Sequence, residues 1–385
     1  MKTLKLREIC DVKRGSSPRP KGDPKYFGGN IPRLTIRDVT RDGKYVSPKI
    51  DFLTEEGAKY GRFSPKGTLT MSISGTIGAV SFLNIDASVH DGFVLFDNIN
   101  KIIDIDYLYY FLKNYNYNDL ILDGGIFKNL TTDIIKDIEI KIPEIKIQKK
   151  IINKFLNEEK KIIKLKKLLE KIEIRNQYYA DKLLSGELSI DEKGNIYNNK
   201  EIFRTLKLDE IFNFKMGQTI LNKDITIEKH SEEEVPVFSA TEKDKVFGYI
   251  HISKVKFPLN ENDIIISARG TIGYPKINDI KIKTSTQTTI QMISKGTVSS
   301  YIVKKIMENK KEYYFASEGA AVPQLTISTL SNKTINIVEN SLSVEVFLKK
   351  LDSEKSKVEK LLELEEKRFE WLSDKLLSGE YIIED

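Results

Sequence analysis

A short basic stretch near the N-terminus is the part of this sequence whose residues are best suited to binding chemistry. At residues 13–21 the sequence KRGSSPRPK holds four cations and two hydroxyls and lacks an acidic residue. Glycine and proline favour a loop, cations and hydroxyls suit phosphate contacts, and arginine can read a guanine edge. A solvated basic surface is the competing interpretation. The candidate DNA-binding residues here are Lys13, Arg14, Ser16, Ser17, Arg19 and Lys21.

Further candidate residues lie later in the chain. Arg33, Arg37 and Arg41 follow the basic stretch at a spacing of four residues. A second, less basic group in the other half of the chain comprises Lys215, Gln218, Thr219, Lys243, Lys245 and Arg269. Together the two groups indicate an anionic partner, and double-stranded DNA is the partner that we expect.

Residues that would carry out catalysis or hold a metal ion are missing from the sequence patterns. His90, His230 and His251 are isolated, and Cys10 is the single cysteine, so neither a disulfide framework nor a multi-cysteine metal site is expected. The sequence lacks the GxGxxG, GxxxxGK[ST], GxSxG and HExxH patterns and the Asx-Pro-Pro-aromatic motif of methyltransferases. We therefore predict a non-catalytic protein that holds no metal ion or cofactor of its own.

Length and charge bound the class of protein. The 385 residues are 40% hydrophobic with a formal net charge of +6, which suits two to three domains with sizeable cores. Residues 1–70 hold 16 basic against 8 acidic residues, whereas residues 71–143 hold 5 against 10, an acidic balance that argues against DNA. An apolar run of about 18 residues and a secretory signal are both missing, so we expect a cytoplasmic protein.

An internal repeat organises the chain. The heptapeptide DKLLSGE occurs at residues 181–187 and again at 374–380, which is an offset of 193 residues. Within the two halves, LREICDVKRGSS matches LDEIFNFKMGQT and SISGTIG matches SARGTIG, at residues 6–17 with 208–219 and 72–78 with 267–273. The segments between these anchors differ widely. Two similar scaffolds with different loops indicate two recognition tasks of one kind.

Each half ends in a long helix with an apolar seam. Alternating spacings of three and four residues over about five heptads predict a coiled coil, and forty residues give a rod of roughly 60 Å. The two helices have opposite net charge and should pair. We favour an antiparallel pair, since a parallel pair requires the second domain to span the rod. The seam residues are Ile151, Phe155, Ile162, Leu165, Leu169, Ile172, Tyr179, Leu183, Val344, Leu348, Leu351, Val358, Leu362, Phe369, Leu372 and Leu376.

These elements predict an α+β fold in which two similar recognition domains of mixed α/β structure are joined by two long helices that form an antiparallel coiled coil, with a pseudo-two-fold internal repeat. The predicted segments are domain 1 at residues 1–143, helix 1 at 144–187, a linker at 188–201, domain 2 at 202–341 and helix 2 at 342–380.

The order and duplication of these motifs resemble the specificity (S) subunit of a type I restriction–modification system. The resemblance covers the whole chain. It rests on the LxEI…G opening, the SxxGTIG strand-turn, the IPxIxxQxxI helix entry at residues 142–151 and the DKLLSGE helix ends. The second copy departs from the pattern, because residues 338–342 lack the proline and glutamine of the helix entry, which puts a matching helix start there in doubt.

The resemblance implies a function. Such subunits use two target-recognition domains to read a bipartite DNA site with an unread spacer, and an antiparallel coiled coil sets the spacer length. They are non-catalytic and bind two modification subunits, which carry S-adenosylmethionine and methylate adenine. Restriction subunits with ATP and Mg²⁺ complete the assembly. By this resemblance no cofactor is expected on this chain.

Two other interpretations remain open. One is a coiled-coil interaction scaffold with two non-DNA binding modules. In a binding assay with duplex DNA, the scaffold predicts a flat response to salt, whereas the affinity of a DNA reader falls steeply as salt rises. The specificity subunit of a related system with fused cleavage and methylation would be distinguished by its neighbouring genes.

Overall fold

The chain folds into two compact units. A computed structural model describes residues 1–121, 130–198, 202–240, 246–270, 272–278, 283–309 and 324–380. Unit 1 comprises Met1–Lys166 together with Lys360–Asp385, and unit 2 comprises Lys167–Glu359. Each unit therefore contains one globular part and one segment from each of the two long helices.

The globular part of unit 1 is a mixture of short strands and helices. Its described elements are, in chain order, β1 (Lys2–Lys5), α1 (Leu6–Ile9), β2 (Asp11–Arg14), β3 (Phe27–Leu34), α2 (Ile36–Asp42), β4 (Tyr45–Val46), β5 (Asp51–Leu53), α3 (Glu55–Ala58), β6 (Arg62–Ser64), β7 (Leu69–Ser72), β8 (Val80–Leu83), β9 (Ala87–Val89), β10 (Phe93–Asp97), α4 (Ile105–Asn114), α5 (Asn118–Ile121), α6 (Thr132–Lys136) and β11 (Glu139–Ile142). They form sheets of order β2-β10-β7-β8-β4 and β5-β3-β9-β6, and β1 pairs with β11.

The globular part of unit 2 follows the first long helix, α7 (Ile145–Leu184). Its described elements are β12 (Ser189–Ile190), β13 (Ile196–Tyr197), β14 (Phe203–Lys207), α8 (Leu208–Ile211), β15 (Phe212–Met216), β16 (Glu234–Phe238), β17 (Gly248–His251), β18 (Ile264–Ser267), β19 (Pro275–Ile277), β20 (Thr284–Ser285), β21 (Thr289–Ser294), α9 (Ser300–Asn309), α10 (Ile327–Ser331), β22 (Thr334–Val338) and the second long helix, α11 (Ser341–Leu377). The main sheets are β15-β21-β18-β19 and β17-β16-β20, and β14 pairs with β22.

The two globular parts share one construction. In each, the opening strand pairs antiparallel with the closing strand, as β1 does with β11 and β14 with β22. The next strand pairs with the long inner strand, β2 with β10 and β15 with β21. A separate sheet holds a parallel pair, β3 with β9 and β16 with β20. The α+β class and the internal repeat predicted from the sequence are confirmed.

The repeated LxEI motif is a capped helical turn. The Lys5 backbone N–H donates to the Glu8 carboxylate at 2.6 Å, and the Lys207 N–H donates to Glu210 at 2.9 Å. The glutamate at the third helical position thereby satisfies a backbone donor at the helix start. The leucine and isoleucine of both copies are buried. The motif repeats because both scaffolds need the same capped turn.

The glycine that follows this turn is required by space. A Cβ atom at Gly15 would lie 2.0 Å from the carbonyl oxygen of His90, and one at Gly217 would lie 2.1 Å from that of Thr286. Because the neighbour is backbone in both cases, it cannot turn aside as a side chain would. Each glycine therefore holds the start of the loop that contains the predicted binding residues against a turn elsewhere in the same unit.

The GTIG motif closes a turn after a buried strand in each unit, as the sequence predicted. Gly78 and Gly273 have φ values of 79° and 81°, a region that glycine enters without steric cost. Their N–H groups donate to the carbonyl oxygens of Ser72 and Ser267 at 3.0 and 2.8 Å. Thr271 of the second motif lies outside the described residues.

The DKLLSGE repeat is a helix stop. Gly186 and Gly379 have φ values of 71° and 73°, which suit the residue just after a helix. In each copy the lysine and the glutamate form an ion pair across the helix end. The leucines of the first copy lie in the core of unit 2, and those of the second copy lie in the core of unit 1. The repeat therefore ends each helix and also packs into a globular core.

The two helix segments in unit 1 run antiparallel. The rings of Phe155 and Phe369 lie 5.7 Å apart, and Lys166 pairs with Glu366 at 2.8 Å, so the residue number falls on one helix as it rises on the other. Ile151, Phe155, Leu372 and Leu376 belong to the same core as the globular part. The helix ends are thus integral to the domain rather than attached to its surface.

The helix segments in unit 2 show the same arrangement. The rings of Tyr179 and Phe347 lie 5.3 Å apart, and Glu173 pairs with Lys355 at 2.8 Å. Every seam residue named above is buried or half-buried. The half-buried ones are Ile162, Leu165, Leu169, Tyr179, Val358, Leu362 and Phe369.

The glutamine of the helix entry has a structural task. Gln148 is fully buried, accepts a hydrogen bond from the Asp104 N–H at 2.7 Å and donates to the carbonyl oxygens of Ile102 and Pro143 at 2.8 Å. In the second copy the matched position is Ser341, where α11 begins. The helix therefore starts there without the proline and glutamine of the first copy.

The predicted linker at residues 188–201 contains a small hairpin instead. Strands β12 and β13 pair antiparallel, and the Asp191 carboxylate accepts hydrogen bonds from the N–H groups of Lys193 and Asn195. Gly194 supplies the positive φ of 85° that the turn requires. Ile190 is buried in the core of unit 2 and anchors the hairpin to that core.

Candidate nucleic-acid interface

An open groove of about 500 Å³ lies on unit 1 where β2, β3, α2 and the turn before β10 meet. We call it the basic groove. Its charged lining consists of five cations and two carboxylates, which are Arg14, Arg19, Lys21, Arg33, Arg37, Asp51 and Asp91. The excess of cations gives the groove a positive potential that suits an anionic ligand. Five of the predicted binding residues therefore meet in one place.

Asp91 organises the loop that forms one wall of the groove. Its Oδ1 accepts a hydrogen bond from the Ser17 hydroxyl at 2.8 Å, and its Oδ2 pairs with Arg19 at 2.7 Å. The Arg14 Nε donates to the Asp91 carbonyl oxygen at 2.8 Å. Burial raises the pKa of Asp91, but the Ser17 hydrogen bond and the Arg19 charge outweigh it, so the pKa lies below its ordinary value. The carboxylate is charged at neutral pH.

Arg33 supports the loop from beneath. It is only 7% exposed, forms an ion pair with Asp51, and donates to the Ser17 hydroxyl at 2.9 Å. Its guanidinium also lies 5.4 Å from the Phe27 ring centre. A DNA contact by Arg33 was predicted, yet burial and these partners assign it to holding the loop in place.

His90 occupies the floor beside Asp91. Its Nδ1 accepts a hydrogen bond from the Gly92 N–H at 2.8 Å. Burial lowers the pKa of His90 to about 4, and the nearby Arg33 charge adds to the shift. The imidazole is therefore neutral at neutral pH and leaves the groove's positive charge to the arginines and lysine.

The predicted cations of unit 1 divide into free and paired side chains. Lys21 and Arg37 are exposed, and neither has an ion pair within the described residues. Arg41 instead pairs with Asp38 and Asp42. It closes α2 and lies outside the groove lining.

Two further predicted residues of the basic stretch also have internal partners. Lys13 is on β2 rather than in a loop and pairs with Asp97 at 3.2 Å. The Ser16 hydroxyl donates to the Tyr60 carbonyl oxygen. Lys13, Ser16 and Arg41 therefore stabilise the scaffold around the groove.

The second group of predicted residues also divides. Gln218 is 4% exposed, and its amide bonds to four groups, so it braces the loop and is not available to a ligand. Lys215 lies on β15 with its ammonium 6.0 Å from the Phe257 ring centre. Arg269 is exposed, and Thr219 donates to Gln287 at 2.8 Å.

Lys243 and Lys245 lie outside the described residues.

Two residues that accept hydrogen bonds from the predicted binding residues Ser17 and Thr219 were missed by sequence reasoning. Asp91 and Gln287 carry no motif, and an isolated acid or amide gives no signal for nucleic-acid binding. The offset of 196 residues that relates them would have linked the two positions once the strands were aligned.

A candidate membrane span and a candidate metal cluster are both missing from the described residues. Within them, no helix is both long and apolar enough for a membrane span. In the same part of the chain, His, Cys, Asp and Glu do not form groups of three or more that are placed to hold a metal ion.

The chain matches known proteins in the same two halves. A family model described as the type I restriction modification DNA specificity domain matches residues 1–175 and again residues 200–366. A protein of Mycoplasma pneumoniae described as a type I specificity subunit is 22% identical over 342 residues, covering 88% of this chain and 85% of that protein. A Haemophilus influenzae protein described as a type I restriction enzyme specificity subunit is 30% identical over 164 residues, covering 41% of each chain.

Solved structures share the fold. The S subunit of a type I restriction–modification system from M. genitalium superposes with a TM-score of 0.57 at 16% identity, covering 98% of this chain and 96% of that one. A chain from a structural study of type I complex assembly and conformational transition gives 0.63 at 14% identity, covering 98% and 97%. Specificity subunits of type I systems are non-catalytic and recognise DNA. Two family matches that together span most of the sequence establish that the chain belongs to the type I restriction modification DNA specificity family.

Proposed function

We propose that each unit of this chain reads one half of a bipartite site in double-stranded DNA. The observation that carries this proposal is the basic groove, where exposed cations surround a loop held by Asp91 and Arg33. Cations fixed on a rigid loop lose little entropy on binding phosphates and base edges. Unit 2 contributes Arg269 and Thr219 from the corresponding part of its fold. The cytoplasm is the location that this role requires, which cell fractionation would test.

We further propose that helices α7 and α11 determine the spacer between the two half-sites. The support is that both helices end in globular cores through the DKLLSGE stop, so the helix length is coupled to the recognition domains. The relevant measure is the number of unread base pairs in the methylated motif.

Two modification subunits are the proposed partners of the helices. Tyr178 on α7 and Trp371 on α11 are 193 residues apart and are 52% and 55% exposed. Large aromatic residues left exposed at matched positions are typical of interface anchors. Two equivalent surfaces suit two identical partners. In this proposal S-adenosylmethionine, ATP and Mg²⁺ are held by the modification and restriction subunits.

DNA binding by the groove is expected to depend on salt. For the chain assembled with its modification subunits, the Lys21→Ala, Arg37→Ala double variant should reduce the slope of log affinity against log salt by about 2, since each phosphate contact contributes about 0.9. Fluorescence anisotropy with a mixed-sequence duplex measures this slope. The control is Lys101→Ala, an exposed lysine beyond the opposite end of β10. A flat response in the wild-type complex would favour the interaction scaffold.

Partner docking is expected to respond to the exposed aromatics. Tyr178→Ala and Trp371→Ala should each weaken one modification-subunit contact by about 2 kcal/mol, or roughly 30-fold. Mass photometry at limiting concentration would then show complexes with one modification subunit. Ile227→Ala, at a side chain 91% exposed elsewhere in unit 2, is the matched control. Full assembly by the Tyr178→Ala, Trp371→Ala double variant would contradict this docking proposal.

A further inference from the structure

The turn before the long inner strand has the same construction in both units. Four backbone hydrogen bonds place the two turns in register at an offset of 196 residues. They run from Gly15 to Phe93 (2.8 Å), from Phe93 to His90 (3.0 Å), from Gly217 to Thr289 (3.0 Å) and from Thr289 to Thr286 (3.1 Å). Asp91 and Gln287 therefore occupy the same position of the scaffold.

A hydroxyl group from the recognition loop holds the side chain at this position in each unit. The Ser17 hydroxyl donates to Asp91 Oδ1, and the Thr219 hydroxyl donates to Gln287 Oε1, both at 2.8 Å. The two hydroxyl residues also correspond, at the offset of 202 that relates the loop openings. The contact is thus preserved while the held group changes from a carboxylate to a carboxamide.

This difference changes what the position can bind. Gln287 is exposed, and its Oε1 keeps one lone pair after accepting from Thr219. Its Nε2 donates no hydrogen bond within the described part of unit 2. An oriented carboxamide with a free lone pair on Oε1 and free N–H donors on Nε2 matches the N6 and N7 atoms of adenine in the major groove.

In unit 1 the Asp91 carboxylate orients the side chain of Arg19 instead. Asp91 Oδ2 pairs with Arg19, whose side chain remains 62% exposed. A guanidinium held on one side by a carboxylate keeps further N–H groups for the O6 and N7 atoms of guanine. Asp91 is therefore a positioning residue for Arg19.

We infer that this shared turn position determines specificity in both half-sites. Gln287 reads adenine in one half-site, and Asp91 holds Arg19 to read guanine in the other. The inference rests on the proposed function, and it names a base and a residue for each unit.

The test uses the chain assembled with its modification subunits and selects bound duplexes from a randomised library. Gln287→Ala should make a single adenine position degenerate, with discrimination reduced roughly 5- to 150-fold, which is the range for loss of a bidentate base contact. Gln287→Glu should shift the same position towards cytosine, because a carboxylate accepts from cytosine N4. Asp91→Asn should weaken a guanine preference in the other half-site only.

A positional readout separates this role from a structural one. Thr219→Val should weaken the same base position as Gln287→Ala, because it removes the hydroxyl that orients the amide. The matched control is Thr205→Val, which removes an exposed hydroxyl that donates to the Asn336 amide oxygen at 2.8 Å on β14 and β22. The recognised motif should be unchanged in that variant.

Three outcomes would overturn the inference. They are a wild-type motif that survives Gln287→Ala and Asp91→Asn, the loss of a whole half-site from one of these substitutions, and a change in the half-site of the other unit. A wild-type complex without sequence preference would instead contradict the proposed function itself. The two failures are therefore distinguishable.

Discussion

Replacing Gly15 by alanine is expected to abolish recognition of one half-site while leaving the other intact. The new Cβ atom would lie 2.0 Å from the His90 carbonyl oxygen, and no side-chain rotation relieves a clash with backbone. The turn that carries Asp91 must then move, and the ion pair with Arg19 moves with it. Moving the turn and the ion pair disrupts the base contact, because that contact depends on hydrogen-bond distance and angle.

The equivalent variant in unit 2 and a control glycine test whether the effect of Gly15→Ala is confined to one half-site. Gly217→Ala should abolish the other half-site, since its Cβ atom would lie 2.1 Å from the Thr286 carbonyl oxygen. Gly67→Ala places a methyl group in open space at a φ of 88°, so it costs only about 1–2 kcal/mol of local strain. The measurement is sequencing of adenine methylation in cells that carry each variant. A complete bipartite motif from Gly15→Ala would show that the turn does not position recognition residues.

Removing the Phe155 ring is expected to destabilise unit 1 by about 3–5 kcal/mol. The side chain is fully buried, and its ring centre lies 4.9 Å from that of Tyr110 on α4 and 5.7 Å from that of Phe369 on α11. Phe155→Ala thus leaves a cavity where both helices meet the globular core. The unfolding midpoint of unit 1 should fall by about 10 °C.

The equivalent position in unit 2 provides the comparison. Leu348, which is 193 residues later, is 2% exposed, and Leu348→Ala should cost about 2–5 kcal/mol in unit 2. Ile163→Ala removes a side chain that is 52% exposed on α7 and should change stability by less than about 0.5 kcal/mol. Differential scanning calorimetry measures the midpoints, and methylation sequencing measures the spacer. If Phe155→Ala and Ile163→Ala have equal midpoints, the helix is not anchored in the core of unit 1.

Local spacing in the sequence was sufficient for much of the architecture. The period of the seam, the stop at Ser185–Gly186 and the repeated SxxGTIG turn each depend on residues within a few positions of one another. Such features depend on helix geometry and on the φ that glycine permits, so they can be predicted without knowledge of the tertiary fold. The hairpin at residues 189–197 was missed because Ile190 is ordered by a core that the sequence does not display.

The residues of the candidate site could not be predicted in the same way. Lys13, Arg33 and Arg41 looked as suitable for DNA as Lys21 and Arg37, since charge and spacing do not reveal the carboxylate that each side chain will meet. Their partners come from the opposing strand β10, from β5 and from the end of α2. The Lys13 and Arg33 pairs join residues that are 84 and 18 positions apart, so they are set by strand order and register, whereas Arg41 pairs with carboxylates of its own helix end.

By itself the sequence determined the duplication, the helices and their stops, because periodicity and glycine placement act locally. Only the tertiary structure decided which cations face the basic groove and what holds them there. Asp91 follows Ser17 by 74 residues, and the two meet because Gly15 fits against the turn before β10. The same fit in unit 2 brings Gln287 to Thr219, and the physical reason in both is a backbone approach too close for any Cβ atom.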